Sequence, residues 1–348
     1  MPSRGDQHKR SCSGTSMQMH QSNGSGGIDM AALLEVKNLK KYFPTSKGVV
    51  HAVDNVTFNL EKGQTMGVVG ESGCGKSTLG RTIIHLQGST EGKIIFEGKD
   101  VTHVKGKELA KLRENMQIIF QDPYSSLNPR MSVHDTIVEP LILSGKFKGP
   151  ELEKEAARLM DMVGIESRLR NAFPHEMDGG RRQRVGIGRA LALSPKFVVC
   201  DEPVSALDVS IQAQVLNLLM DLQDELQLTY MFITHDLSVV RHISSNICVM
   251  YLGQLVETCE TEELFKRQLH PYSKALLSAI PSTDIHSQKK RIVIKGEIVS
   301  PIDPKPGCRF AARCPYACEL CHKPQELREI TPGHFVSCCQ VEKINKLN

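Results

Sequence analysis

The chain has 348 residues, 40% hydrophobic and 24% charged, enough apolar material for a core and, at this length, for about two domains. Its 43 basic and 39 acidic side chains leave a net charge of +4, too near neutral to argue for nucleic acid or an anionic membrane as partner. No run reaches the roughly 18 apolar residues of a membrane-spanning helix, and the first 29 residues lack the apolar stretch of a secretory signal.

Taken in chain order, residues 1–29 are rich in Ser, Gly, Gln and His and close on SNGSGGID. They hold too little apolar surface to order themselves and read as a disordered leader or cloning remnant, with Met30 as a candidate natural start. From Leu33, LLEVKNLKKYF and GVVHAVDNVTFNL alternate apolar and polar residues, which predicts half-buried antiparallel strands. TMGVVG is a short apolar strand entering a glycine-rich loop, and STLGRTIIHL is the helix after it. Residues 151–193 are helical in pattern, with Asp178-Gly179-Gly180 opening RRQRVGIGRALAL. FVVCDEP is a second buried strand, IQAQVLNLLMDLQDEL an amphipathic helix, and TYMFITHD a third strand. Strands alternating with helices predict a parallel-cored α/β sheet. Past about residue 265 the pattern breaks into a Pro- and Cys-rich tail, and six of the 11 cysteines fall in the last 41 residues. In a chain without an export signal, that cluster reads as metal binding ahead of disulfides.

Gly70-Glu71-Ser72-Gly73-Cys74-Gly75-Lys76-Ser77 matches G-x-x-x-x-G-K-[ST] between a strand and a helix. Glycines let backbone amides wrap phosphates, and the helix N-terminus adds positive potential. Lys76 is placed for the β- and γ-phosphates and Ser77 for magnesium, so this loop binds a nucleoside triphosphate. At Phe197-Val198-Val199-Cys200-Asp201-Glu202, an apolar strand delivers two carboxylates at its C-terminal end, where α/β sheets place ligands. Asp201 suits magnesium, and Glu202 suits polarising an attacking water.

These elements and what lies between them resemble the nucleotide-binding subunit of an ABC transporter, in order over about residues 33–265. The resemblance implies an α/β fold: an ABC-type P-loop domain (residues 30–265) with a RecA-like core, an antiparallel β subdomain and a helical subdomain. A Cys-rich C-terminal extension follows (266–348). It implies ATP on residues 70–78, through Thr78, with Tyr42 stacked on adenine. Gln121, in MQIIFQDPYSSLNPRM, matches the loop that senses the γ-phosphate and shares in the magnesium site with Ser77 and Asp201. Ser205-Ala206-Leu207-Asp208 matches the loop crossing the dimer interface, and His235 the switch histidine at the γ-phosphate.

QDPYSSLNPRMSV, HPYSKALLSAIP and GCRFAARCPYACELC…GHFVSC are similar to the oligopeptide/dipeptide importer family, some members of which move nickel, and more to its F-type subunit than to the other. The implied partners are a second ATP-binding subunit, two transmembrane permease subunits and an external or periplasmic solute-binding protein. The implied place is the cytoplasmic face of the cell membrane, bound peripherally. A soluble ATPase of the same superfamily and a non-catalytic binding module are the competing readings. A single cassette without a long insertion weighs against the first, and intact Glu202 and His235 weigh against the second.

One motif departs from the family. Met177-Asp178-Gly179-Gly180-Arg181 stands where Leu-Ser-Gly-Gly-Gln is usual, the signature that acts in trans on the partner's γ-phosphate. Asp178 puts a carboxylate where an anion belongs, and like charges about 4 Å apart repel by ~1 kcal/mol in water and more in a drier site. An aspartate is also a good helix N-cap, so the helix is expected to form while its carboxylate occupies the amides. Two readings stand: Arg181 offsets the charge and the change is neutral, or the protein works in an asymmetric heterodimer with one weakened ATP site.

Cys308, Cys314, Cys321 and Cys338 match the importer tail, where such cysteines resemble the ligands of a [4Fe–4S] cluster; Cys318 and Cys339 are extra. Thiolates equally suit zinc, and reduced thiols are the third reading. Cys74, Cys200, Cys248 and Cys259 sit in core-like patterns, and Cys12 is incidental.

Overall fold

The computed structural model describes residues 32–280, 291–294, 296 and 300–347. The leader and Cys12 lie outside the described residues. The two alternating segments form β1 (Ala32–Thr45) and β2 (Gly48–Glu61), a long antiparallel pair. With β4 (Glu91–Phe96) and β5 (Lys99–Asp100) they make a four-stranded antiparallel sheet in the order β2-β1-β4-β5. Leu34, Val36 and Leu39 point its apolar face inward.

The second sheet runs β11-β12-β10-β9-β3-β8-β7-β6. Its centre is parallel: β3 (Thr65–Val69), β6 (Met116–Ile119), β7 (Phe197–Asp201), β8 (Thr229–Ile233) and β9 (Asn246–Tyr251). β3, β7 and β8 are buried along their whole length, as continuous apolar runs in a sheet covered on both faces should be. Strand alternation divides those residues between two cores. Phe197, Val199, Met231 and Ile233 pack under the antiparallel sheet and the helix Lys76–Ile83. Val198, Cys200, Tyr230 and Phe232 pack under the helices Val133–Ser144, Pro150–Met162, Gly179–Leu191 and Val209–Leu226.

Two expectations change. The helical pattern of residues 151–193 is two helices with irregular chain between them, because Gly164 turns at φ +65° and Pro174 starts a separate short 3-10 turn. The Cys-rich tail also joins the core sheet. After β10 (Gln254–Glu260), the hairpin of β11 (Arg328–Thr331) and β12 (His334–Val336) pairs antiparallel with β10. Fully buried Glu257 staples it: it accepts from the Leu269 and His270 amides at 2.7 and 2.9 Å and lies 2.7 Å from His334 Nε2.

Candidate nucleotide site

β3, β8 and β7 are adjacent and parallel, so the loops after them open at one edge. That edge collects the glycine loop after β3, Asp201 and Glu202 at the end of β7, and His235 after β8. Loops at the C-terminal ends of parallel strands are the usual ligand sites of such sheets. A cleft of about 660 Å³ lies there, lined among others by Ser72, Gly73, Gly75, Lys76, Ser77, Thr78, Gln121, Glu202 and His235.

The glycine loop is shaped by close approach. Gly75 has φ +103°, and a Cβ there would lie 2.0 Å from the Ala52 carbonyl oxygen; one at Gly70 would lie 2.2 Å from that of Met250. The helix Lys76–Ile83 starts directly from this loop, so its free amides face the cleft. Lys76, only 4% exposed, donates to the Gly70 and Glu71 carbonyls at 2.8 and 3.1 Å, which aims the ammonium along the inside of the loop.

Ser77 Oγ donates to Asp201 Oδ1 at 2.6 Å, and Arg81 Nη2 lies 3.2 Å from the other oxygen of that buried carboxylate. Hydroxyl, carboxylate and the amide of Gln121 form an all-oxygen donor set that fits magnesium. Glu202 sits at φ +48°, a left-handed conformation uncommon for a non-glycine residue, and its amide donates to the Ile233 carbonyl at 2.9 Å. Its Oε2 accepts from Gln121 Nε2 at 2.9 Å and lies 3.4 Å from His235 Nδ1. One carboxylate oxygen therefore joins the three groups expected around the γ-phosphate.

Tyr42 is placed elsewhere. Its ring stacks on His51 with centroids 3.9 Å apart, its hydroxyl donates to Asp54 at 2.6 Å, and Phe43 lines the cleft instead. Neighbouring strand residues face opposite ways, and β1 carries register shifts between Leu39, Lys41 and Tyr42 that defeat counting parity along it. Asp178 caps the helix Gly179–Leu191, accepting from the Arg181 amide at 2.8 Å. Arg181 also places its guanidinium 3.3 Å from Asp178 and 3.5 Å from Glu166. In the loop Ser205–Asp208, Ser205 donates to the Glu202 carbonyl, Asp208 caps the helix Val209–Leu226, and Leu207 packs on Gly179. Ser205 to Asp208 and Asp178 to Arg181 thus lie together, and neither group lines the cleft.

Comparison with known proteins decides the family. Residues 53–205 match the ABC transporter family and residues 256–321 the oligopeptide/dipeptide transporter C-terminal region. The oligopeptide transport ATP-binding protein AppF of Bacillus subtilis is 49% identical over 317 residues, 88% of this chain and 96% of AppF. The dipeptide transport ATP-binding protein DppF of Haemophilus influenzae is 46% identical, over 89% of this chain and 97% of DppF. The chain belongs to the oligopeptide/dipeptide ABC transporter ATP-binding proteins. The fold agrees: the dimeric ATP-binding cassette MJ0796 bound to ADP and Pi superposes with a TM-score of 0.60 at 29% identity, over 66% of this chain and 98% of that one. CbiO1 of Clostridium perfringens, part of the ABC transporter complex cbiONQ, superposes with the same TM-score at 29% identity, over 68% and 92%. Like its relatives, this ABC protein is an ATPase, and among the described residues no helix is long and apolar enough to cross a membrane.

The cysteines of this ABC ATPase extension gather. Cys308, Cys314, Cys321, Cys338 and Cys339 line one small cavity beside Phe310. Cys318 is not apart either: the sulfurs of Cys318, Cys321 and Cys339 lie within 4.8 Å of one another. The two extra cysteines therefore belong to the same neighbourhood as the four expected ligands, because the 3-10 turn Glu319–His322 and the β12 exit bring them there. Burial pushes the Cys308 thiol up to about 12 and Cys338 to about 11, whereas donation from Gln340 brings half-buried Cys318 down to about 7. So soft a donor set fits a thiophilic metal or an iron–sulfur cluster. Cys74, Cys200, Cys248 and Cys259 are buried singly.

Sequence reasoning missed Phe43, Arg81, Tyr272 and Arg313. Arg81 was open to detection, since it stands one helical turn after Ser77 on the same face.

Proposed function

We propose that this protein hydrolyses ATP to drive import of oligopeptides or dipeptides through a membrane ABC transporter. It works from the cytoplasmic face against two permease subunits, in a heterodimer with a second ATP-binding subunit and fed by an external solute-binding protein. Support for the peptide cargo comes from the family match of residues 256–321 and the names of the relatives. The observation that carries the catalytic part is the Glu202 carboxylate, 2.9 Å from Gln121 and 3.4 Å from His235, facing the Lys76 loop across one cleft.

In this reading the loop amides and Lys76 bind the β- and γ-phosphates, and Phe43 stacks on adenine. Ser77, Asp201 and Gln121 would hold magnesium, which would supply charge neutralisation on the phosphate oxygens. Glu202 accepts a hydrogen bond from the attacking water and turns it in line with the γ-phosphate, and Gln121 and His235 hold that carboxylate in place. Catalysis is positioning and electrostatics, with no covalent intermediate on the protein. Residues 30–265 form the ATPase unit and 266–348 the extension, where Cys308, Cys314, Cys321 and Cys338 would hold a [4Fe–4S] cluster that would serve as a structural staple, with zinc the second candidate.

The test is a Glu202→Gln variant in the transporter purified anaerobically from native membranes. ATP binding is expected to persist while turnover falls by about 100-fold or more, the range for loss of a side chain that accepts from the reacting group. Turnover that survives, or co-purification with soluble proteins and no permease, would overturn the assignment.

A further inference from the structure

The extension touches the ATP site as well as the cysteines. Glu71, the second residue of the phosphate loop, turns its side chain away from the cleft and toward Arg313, whose two terminal nitrogens lie 2.7 and 3.3 Å from its two carboxylate oxygens. The guanidinium is itself buried, 8% exposed, and its Nη1 also donates to the Tyr251 hydroxyl at 3.2 Å. The backbone of Glu71 is held too: its amide donates to the hydroxyl of fully buried Tyr272 at 2.8 Å. Tyr251, Tyr272 and Phe310 pack edge-on around this junction, with ring centroids 4.7 to 5.4 Å apart. A second arginine grips the floor of the loop. Arg309 pairs with Asp54 and donates to the Leu252 carbonyl, next to Gly253, whose amide donates to Cys74. Each arginine adjoins a cysteine of the cluster, Arg309 after Cys308 and Arg313 before Cys314.

We propose that the extension is a working part of the ATP site, with Arg313 a positioning residue that holds the phosphate loop in its binding shape through Glu71. The chemistry requires such a partner. The loop exists to bind the most highly charged anion in the reaction, yet carries a carboxylate of its own. A bidentate guanidinium pins that carboxylate outside the phosphate cradle and cancels its charge. Tyr272 fixes the same residue by its backbone, so that amide points at the extension and not into the cleft. The inference concerns ATP binding alone and does not depend on which solute is moved.

The experiment is a double-mutant cycle read by ATP titration of the full chain, with KM and kcat measured in the assembled transporter. Arg313→Ala is expected to weaken ATP binding by about 10- to 100-fold, because it frees an unpaired carboxylate beside the phosphates. In that background Glu71→Gln removes the offending charge and is expected to restore affinity to within about threefold of Glu71→Gln alone. Arg313→Lys, which keeps the charge and loses the fork, falls between. KM should rise while kcat holds, since Arg313 touches neither Glu202 nor His235. An Arg313→Ala chain that folds and binds ATP normally would overturn the proposal, as would an affinity loss that Glu71→Gln leaves undiminished. If Arg313→Ala fails to fold, the Glu71→Gln and Arg313→Lys pair decides the matter by the same criterion of non-additivity.

Discussion

Phe43 and Tyr42 show how much turns on a single position. Both are aromatic and adjacent, and only one faces the cleft. Stacking of a base on an aromatic ring is worth about 1–3 kcal/mol by alanine substitution. Phe43→Ala is therefore expected to weaken ATP binding by about 5- to 150-fold, while Tyr42→Ala, which removes a ring stacked on His51 and a hydrogen bond to Asp54, leaves nucleotide affinity within about threefold. Competition with a fluorescent ATP analogue separates the two, and a loss confined to Tyr42 would return the adenine contact to that residue. The rest of the cleft was legible because its chemistry is local: the loop from Gly70 to Ser77 and the carboxylates at Asp201 and Glu202 each carry their meaning within eight residues or fewer. That Tyr42 turns from the cleft was not legible, because facing is a property of the strand, and the irregular register of β1 resets it between Leu39 and Tyr42.

At the scale of elements, the helix Gly179–Leu191 shows a motif serving two ends at once. Asp178 caps it as well as a serine would, and by doing so takes up the Arg181 amide while leaving a carboxylate at the helix mouth. The cap serves folding either way, and Arg181, 3.3 Å from that carboxylate, is the group placed to offset its charge toward an anion. Replacing both residues, Asp178→Ser with Arg181→Gln, is expected to leave stability within about 0.5 kcal/mol, since serine and aspartate are near-equal caps. In the proposed heterodimer, where the signature would act on the partner's nucleotide, the same double variant is expected to raise ATP turnover. Thermal melts and turnover measured side by side check this, and unchanged turnover would mean that Arg181 already offsets the charge. Helices and parallel strands such as β3, β7 and β8 were readable because their apolar runs are long and regular. The hairpin of β11 and β12 was not, because strands of four and three residues among prolines and cysteines carry too few positions to show a period.

At the scale of the whole molecule, that hairpin, the cysteine neighbourhood and the phosphate loop form one continuous path. β12 pairs with β10, Glu257 of β10 binds His334 and the amide of His270, and the helix beginning at Pro271 presents Tyr272 to Glu71. From the other side, Cys308 and Cys314 flank the two arginines that hold the loop and its floor. A group that gathers the thiols fixes the segment from Cys308 to Cys314, and so fixes Arg309 and Arg313. By linkage, ATP affinity and retention of the thiol-bound group must then shift by the same factor, and couplings of this kind usually lie between about 5- and 150-fold. The full chain purified anaerobically is expected to bind ATP more tightly than the same preparation stripped with a chelator, and saturating ATP should slow loss of the metal to chelator. Arg313→Ala should weaken both effects without removing a single thiol, leaving only what passes through Arg309, which distinguishes transmission through the arginines from general loosening of the fold. Equal ATP affinity in loaded and stripped protein would make the cysteine site a staple for the extension alone.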